Sequence, residues 1–314
     1  MRVSGPGSFA VSPMSLSELV FATPLGNLNP PGHTLPSDHV YFYWVDPDHR
    51  TPNDMALMRA VYAPAGGYAF DITGPGIPNT DHRVMVRVTN TFSYYLSHIL
   101  LDSIIMQGVT IRPGQRLGTT SPYSYAVDLG IINTETTLTG FVNPARYPYQ
   151  TLHAEAPYKY FVQPLRDSLY GFVRRMGPEK DGKIDYDMPG RLVGAWFLKG
   201  LPLGDASASV DAGPRHLAFV YDMANPTSPR ISIGGILSMR GLYGIMQPAQ
   251  DFSAITPSSG KIGYKLISPF DFPNISVGLM IVQMTSADTI KVETFPGLNA
   301  ATAEFSSGAA TYTR

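Results

Sequence analysis

The sequence predicts a mainly β protein, and three observations predict it. First, 30 glycines and 28 prolines are spread along 314 residues with no collagen-like period, which cuts the chain into many short elements. Second, short apolar or alternating runs recur between these turn residues, as strands require. Third, only one stretch carries a clear helical period. The length favours two ordinary domains over one large one, each with enough chain to bury a core.

Taken in order, residues 1–20 are Gly/Ser/Pro-rich and read as a tail or a strand added late. Residues 21–150 form the expected first domain. Val40–Val45 is aromatic and β-branched on both faces, the composition of a buried strand. Arg83–Val88 alternates, which places the Val and Met side chains on one face and the arginines on the other. Met58–Tyr62, Gly67–Ile72, Val109–Ile111 and Tyr125–Ile132 are further strands, and Phe92–Met106 has a loose helical period. Residues 151–185 read as a linking segment with a helix, because Leu165, Leu169, Phe172, Val173 and Met176 line one helical face before Gly177-Pro178 ends it. Residues 186–314 carry the strands Arg191–Leu198, His216–Tyr221, Arg230–Ile236, Gly260–Leu266, Val277–Met284 and Thr289–Phe295, the spacing of an antiparallel β-barrel or sandwich.

Composition excludes several classes. A formal net charge of -1 with 15% charged residues gives no bulk attraction to nucleic acid or anionic lipid. With no cysteine, disulfide scaffolds, thiolate zinc sites and cysteine nucleophiles are out, and any metal must sit on His and carboxylate. No stretch approaches the roughly 20 apolar residues of a spanning helix. Met1–Ser17 has no apolar signal-peptide core.

Chemistry is concentrated in histidine. Of seven, only His33 and His39 cluster, in Gly32-His33-Thr34-Leu35-Pro36-Ser37-Asp38-His39 just before the Val40 strand. Imidazole and carboxylate are the ligand types for zinc in a chain without thiolates. A Pro/Gly/Asp turn with both imidazoles exposed accounts for the same residues equally simply, and spacing alone leaves both readings open. His49 and His82 sit in Asp/Arg-rich turns and read as solvated, His216 as half buried, and His153 as a residue between the halves. Asp181, Asp185 and Asp187 lack the ligand spacing of a calcium loop and read as a solvated turn. Gly190–Phe197, with Trp196, is reminiscent of the opening strand of lipocalin-like barrels, where such a Trp plugs one end; a sandwich with Trp196 in its core explains it as well.

The motif order from Gly32 to Ile131 resembles the lysostaphin-type zinc endopeptidases, which cut peptidoglycan cross-bridges. The resemblance runs through His33 and Asp38, Val61-Tyr62-Ala63-Pro64-Ala65-Gly66-Gly67, Tyr94-Tyr95-Leu96-Ser97-His98, Gly108–Gly118 and Tyr125–Ile131. It implies a barrel-sandwich hybrid for the first domain, followed by the linking helix and the β-barrel or sandwich. It further implies a Zn²⁺ ion held by His33, Asp38 and Asp128, with His98 as the catalytic residue. A peptide or peptidoglycan substrate follows by the same route, and a bacterial cell envelope or periplasm as location.

Two departures qualify the activity. Four residues rather than three separate His33 from Asp38, and Ala126-Val127-Asp128 stands where the family has His-x-His. A third carboxylate weakens the Lewis acidity of a bound zinc, and losing a positioned acid/base typically costs roughly 10²–10⁴-fold. Two functions therefore stand side by side: a zinc-dependent peptidase, and a non-catalytic descendant that binds a ligand or partner. Oligomeric state is not legible.

Overall fold

The computed structural model describes residues 4–47, 57–74, 80–204, 212–268 and 275–314. The protein is mainly β. Its strands are β1 (Phe21–Ala22), β2 (His39–Tyr43), β3 (Ala60–Tyr62), β4 (Gly67–Thr73), β5 (His82–Arg87), β6 (Phe92–Leu101), β7 (Thr110–Ile111), β8 (Arg116–Thr120) and β9 (Ala126–Asn133), followed by β10 (Gly194–Leu198), β11 (His216–Tyr221), β12 (Pro229–Ile233), β13 (Gly241–Ile245), β14 (Lys261–Ile267), β15 (Ser276–Ser286), β16 (Thr289–Pro296) and β17 (Ala310–Thr313). Two helices lie between the sets, α1 (Tyr149–Leu152) and α2 (Leu165–Phe172).

The chain divides into two compact units: residues 1–25, 38–137 and 153–182 form the first, and 26–37, 138–152 and 183–314 the second. The first is a nine-stranded sheet in the order β1-β2-β9-β6-β5-β4-β7, with β8 joining β6 and β3 joining β8. One face is the core. Val40, Phe42, Val84, Val86, Phe92, Tyr94, Leu96, Val127, Leu129 and Ile131 alternate along four adjacent strands and are all buried. Met85 does not join them, because register pairs it with Tyr95 on the opposite face, beside the arginines. Residues 4–20 are packed rather than trailing. Phe9 is fully buried against Phe92, Tyr94 and Phe161, with ring centroids 6.0, 5.5 and 5.1 Å away.

Two local expectations change. Phe92–Met106 contains a ten-residue strand, β6, instead of a helix. Tyr94 and Leu96 on one face and Tyr95 and Ser97 on the other are all buried, which removes the exposed polar alternation that marks a half-exposed strand. The helix predicted over 165–176 stops at Phe172, since Val173 leaves it to bridge Ala22 and Arg174 N donates to the Ala22 carbonyl at 2.9 Å. Residues 153–182 thus pack with the first unit's strands, in place of linking.

The second unit is a closed eight-stranded barrel, β10 to β17 in sequential order with β17 returning to β10. An eight-stranded barrel is just wide enough for side chains to fill it. Here Trp196, Phe219, Ile231, Tyr264, Leu266, Met280, Val282, Ile290 and Tyr312 do so. Trp196 Nε1 donates to the Leu192 carbonyl at 2.8 Å, and the Arg314 guanidinium lies 4.0 Å above its ring while donating to the carbonyls of Met188, Arg191 and Leu192. His216 is buried rather than half exposed. Asp187, read as solvated, is also buried and accepts Ala195 N at 2.8 Å and Val142 N at 3.1 Å.

Candidate functional site

The face of the first unit's sheet opposite its core is polar, and register alone assembles it. On β9, Asp128 faces Tyr41 of β2 and Ser97 of β6, while Gly130 faces His39 and Tyr95. Ser97 in turn faces Arg83 of β5. His39, Tyr41, Asp128, Tyr95, Ser97 and Arg83 therefore stand on one surface, drawn from four strands. Asp38 enters from the residue before β2, and Asp81 from the residue before β5.

His98 is placed by an irregularity. Strand β6 pairs with β9 only as far as Ser97–Asp128, then pairs with β8 from Ile99 onward. On its other edge Ser97 faces Arg83 and Ile99 faces His82, so His98 is the extra residue of a bulge. It adopts φ 64°, the left-handed region, the one described non-glycine residue to do so. Bulges re-aim side chains, and left-handed non-glycine residues concentrate at functional sites.

The imidazoles and carboxylates form one chain. Asp38 Oδ1 accepts from His39 Nδ1 at 3.0 Å and from the Tyr95 hydroxyl at 3.0 Å. The other edge of the same ring, Nε2, meets the Tyr41 hydroxyl at 3.1 Å and Asp128 Oδ2 at 3.5 Å. Asp128 Oδ2 is also 3.5 Å from His98 Nε2, and His98 Nδ1 donates to Asp81 at 3.0 Å. A carboxylate only accepts, so the proton of each Nδ1 is assigned to the ring. Asp38, His39, Asp81 and Asp128 are buried; the His98 side chain is 32% exposed and is the open end of the chain.

Electrostatics fixes the charge of that open end. Burial alone would push the His98 pKa down, but Asp128 and Asp81 outweigh it and, against opposition from Arg83, raise it to about 9. His98 is therefore an imidazolium at neutral pH. Burial, reinforced by Asp38, holds the Tyr95 phenol protonated far above neutrality, and Arg83 lies 4.9 Å above its ring.

The structure brings Asp38, Asp128 and His98 into one cluster through His39. His33 belongs to the second unit, where it pairs with Asn29 through two 2.9 Å backbone hydrogen bonds. The expected zinc set of His33, Asp38 and Asp128 draws on both units, His33 from the second and the two carboxylates from the first. Asp38 and Asp128 lie against opposite nitrogens of the His39 ring, so that ring separates the two carboxylates. Among the described residues, no group of three or more His, Asp or Glu side chains is disposed to hold a metal ion.

His82, read as solvated, is half buried with Nδ1 3.1 Å from the Ile99 carbonyl. His153 lies in the first unit, with Nδ1 2.6 Å from the Thr136 carbonyl, and His49 falls outside the described residues. Sequence reasoning passed over Asp81, Tyr95 and Arg83, and gave His39 no role beyond the His33–His39 cluster. The available signals were two of the three Asp-His doublets, Asp38-His39 and Asp81-His82, each opening a strand; the third, Asp48-His49, falls outside the described residues.

No protein-family model matches this sequence, and no curated protein matches it. Among solved structures, the chain is similar to a zinc-containing peptidase from Vibrio cholerae, at 12% identity and a TM-score of 0.28 over 40% of this chain. It spans 37% of that peptidase's length. It is similar to the SpoIIQ-SpoIIIAH pore-forming complex at 16% identity and a TM-score of 0.35, covering 51% of this chain and 95% of that one. The solution structure of lysostaphin is similar at 8% identity and a TM-score of 0.29, covering 98% of this chain and 92% of that one.

Proposed function

We propose that the first unit is a peptidase-like domain that binds a peptide ligand or partner without cleaving it. The observation that carries this reading is the continuous Asp38–His39–Asp128–His98–Asp81 chain, in which the protonated His98 supplies the positive charge between carboxylates that a zinc ion supplies in a lysostaphin-type enzyme. Ala126 supports it: buried and apolar, it stands where the resemblance implies a second acid/base, and its methyl side chain cannot transfer a proton. The exposed edge of His98 is the polar handle offered to a ligand. The ligand class, a glycine-rich peptide of the peptidoglycan cross-bridge type, rests on the motif resemblance.

The test is a zinc competition titration at neutral pH together with incubation of the zinc-supplemented protein with pentaglycine. The reading expects no stoichiometric zinc, no hydrolysis, and a change in the His98 ring resonances on adding pentaglycine. An unmoved His98 would remove the binding role. One tightly bound equivalent of zinc with peptide cleavage would replace the reading by the hydrolase one, centred on Asp128, whose Oδ1 is buried and has no hydrogen-bond partner among the described residues.

A further inference from the structure

The barrel interior is filled, but one end of the barrel is not. A cavity of about 350 Å³ opens where the β11–β12 turn, the end of β13 and the end of β14 meet. Its apolar floor includes Ile245 and Ile267, and its polar wall includes Asn225, Arg230, Gln247 and Asp251. That volume lies near the small end of ligand sites, which run from roughly 300 to 1,000 Å³, so an occupant of amino-acid size fits it.

The hydrogen bonds already made show what is left for an occupant. Arg230 gives Nε to Asp222 Oδ2 at 3.0 Å and Nη1 to Ser228 Oγ at 2.9 Å, which fixes the guanidinium plane. Its Nη2 has no partner among the described residues. Asp251 Oδ1 takes the Ser253 amide at 2.9 Å and the Tyr221 hydroxyl at 2.8 Å, while Oδ2 takes none. Asn225 spends its carbonyl oxygen on Thr227, and Gln247 spends its own on Ala249 N. Both amide NH₂ groups remain as donors. The unspent set is a fixed guanidinium edge and two amide donors, which suit a carboxylate, and one carboxylate oxygen, which suits an ammonium or hydroxyl. Burial pushes the Asp251 pKa up, but the hydrogen bonds from Ser253 and Tyr221 together outweigh it and hold the carboxyl below its ordinary range, so it is ionised at neutral pH.

We propose that this barrel-end cavity binds a small zwitterion, a free amino acid with an aliphatic side chain, with Arg230 on its carboxylate, Asp251 on its ammonium and Ile245 and Ile267 against the side chain. The experiment titrates the full-length protein with three probes by calorimetry and by amide NMR: L-leucine, 4-methylpentanoate, which lacks the amine, and 3-methylbutylamine, which lacks the carboxylate. The site expects L-leucine to bind below about 1 mM and each analogue at least 10-fold more weakly, with shifts mapping to 225–251 and 267. Arg230→Lys and Asp251→Asn should each weaken L-leucine at least 10-fold. Asn retains the capping geometry at 251, so that variant keeps its fold. Ile245→Phe should abolish binding by filling the cavity. Equal binding of all three probes, shifts elsewhere, unchanged affinity in both polar variants, or no binding of L-leucine at 10 mM would each overturn the proposal.

Discussion

The Tyr95 ring lies directly across Gly130, so closely that a Cβ at 130 would occupy the ring itself. This cross-strand pairing lets the phenol pass over β9 and donate to Asp38 Oδ1 at 3.0 Å. Gly130→Ala must push the ring away and break that bond. Overpacking of this kind costs about 1–3 kcal/mol. The same substitution should cost clearly less in a Tyr95→Ala background, because the clash is then gone. Urea unfolding of the four proteins in this cycle measures the coupling; equal costs in both backgrounds would refute the packing.

The His98 charge makes stability depend on pH with a defined sign. The folded pKa of about 9 lies above the ordinary 6.5. The stabilisation is therefore complete below about pH 6.5 and is lost as pH rises through 9. Asp128 and Asp81 raise this pKa, and burial and Arg83 oppose them. Allowing for solvent at the ring, the loss should be on the order of 2 kcal/mol between pH 6.5 and 9.5. His98→Gln should flatten that part of the profile. A wild-type profile already flat across it would show that His98 is not held as an imidazolium.

Ala126 and Asp128 share one face of β9, opposite Tyr43 and Tyr41 in register. Replacing both by His restores a His-x-His pair on the polar face and removes the carboxylate that keeps His98 protonated. The double variant should bind zinc more tightly than wild type in a competition titration. If it binds no more than wild type, β9 does not correspond to the closing motif of the zinc endopeptidases.

The barrel unit draws on residues far upstream of its first strand. Thr34 Oγ1 donates to the Gly213 carbonyl at 2.8 Å, and Gly140 N and Val142 N donate to Asp185 and Asp187 at 2.9 and 3.1 Å. A fragment spanning 183–314 keeps the barrel strands but takes these donors from the buried Gly213 carbonyl and Asp187, at about 1–3 kcal/mol each, and from the half-buried Asp185. Its melting temperature should fall at least about 5 °C below that of the same unit in the full chain. A fragment with unchanged stability would show that 26–37 and 138–152 are dispensable to it.

The fold class was legible because local patterns determine it. The alternation over Arg83–Val88 and the aromatic run at Val40–Val45 became strands, and the regular strand spacing after residue 190 became a closed barrel around Trp196. Where local pattern is ambiguous the reading failed: β6, covered on both faces, carries no period that separates a strand from a helix, and the two-residue β1 is too short to carry one.

For the site, the sequence by itself determined which chemistries were available: no thiolates, a handful of imidazoles, and carboxylates beside three of them. Only the tertiary structure decided which of these meet. His39 touches Asp128 because β2 and β9 pair in a register that sets Tyr41 against Asp128, and His98 reaches the same oxygen because a bulge turns it out of β6. A one-residue slip in either pairing would send these side chains to the opposite face. Register between strands far apart in the chain is a property of the packed sheet, set by the burial of Val40, Phe42, Val127 and Leu129 on its other side, and short-range sequence spacing does not contain it.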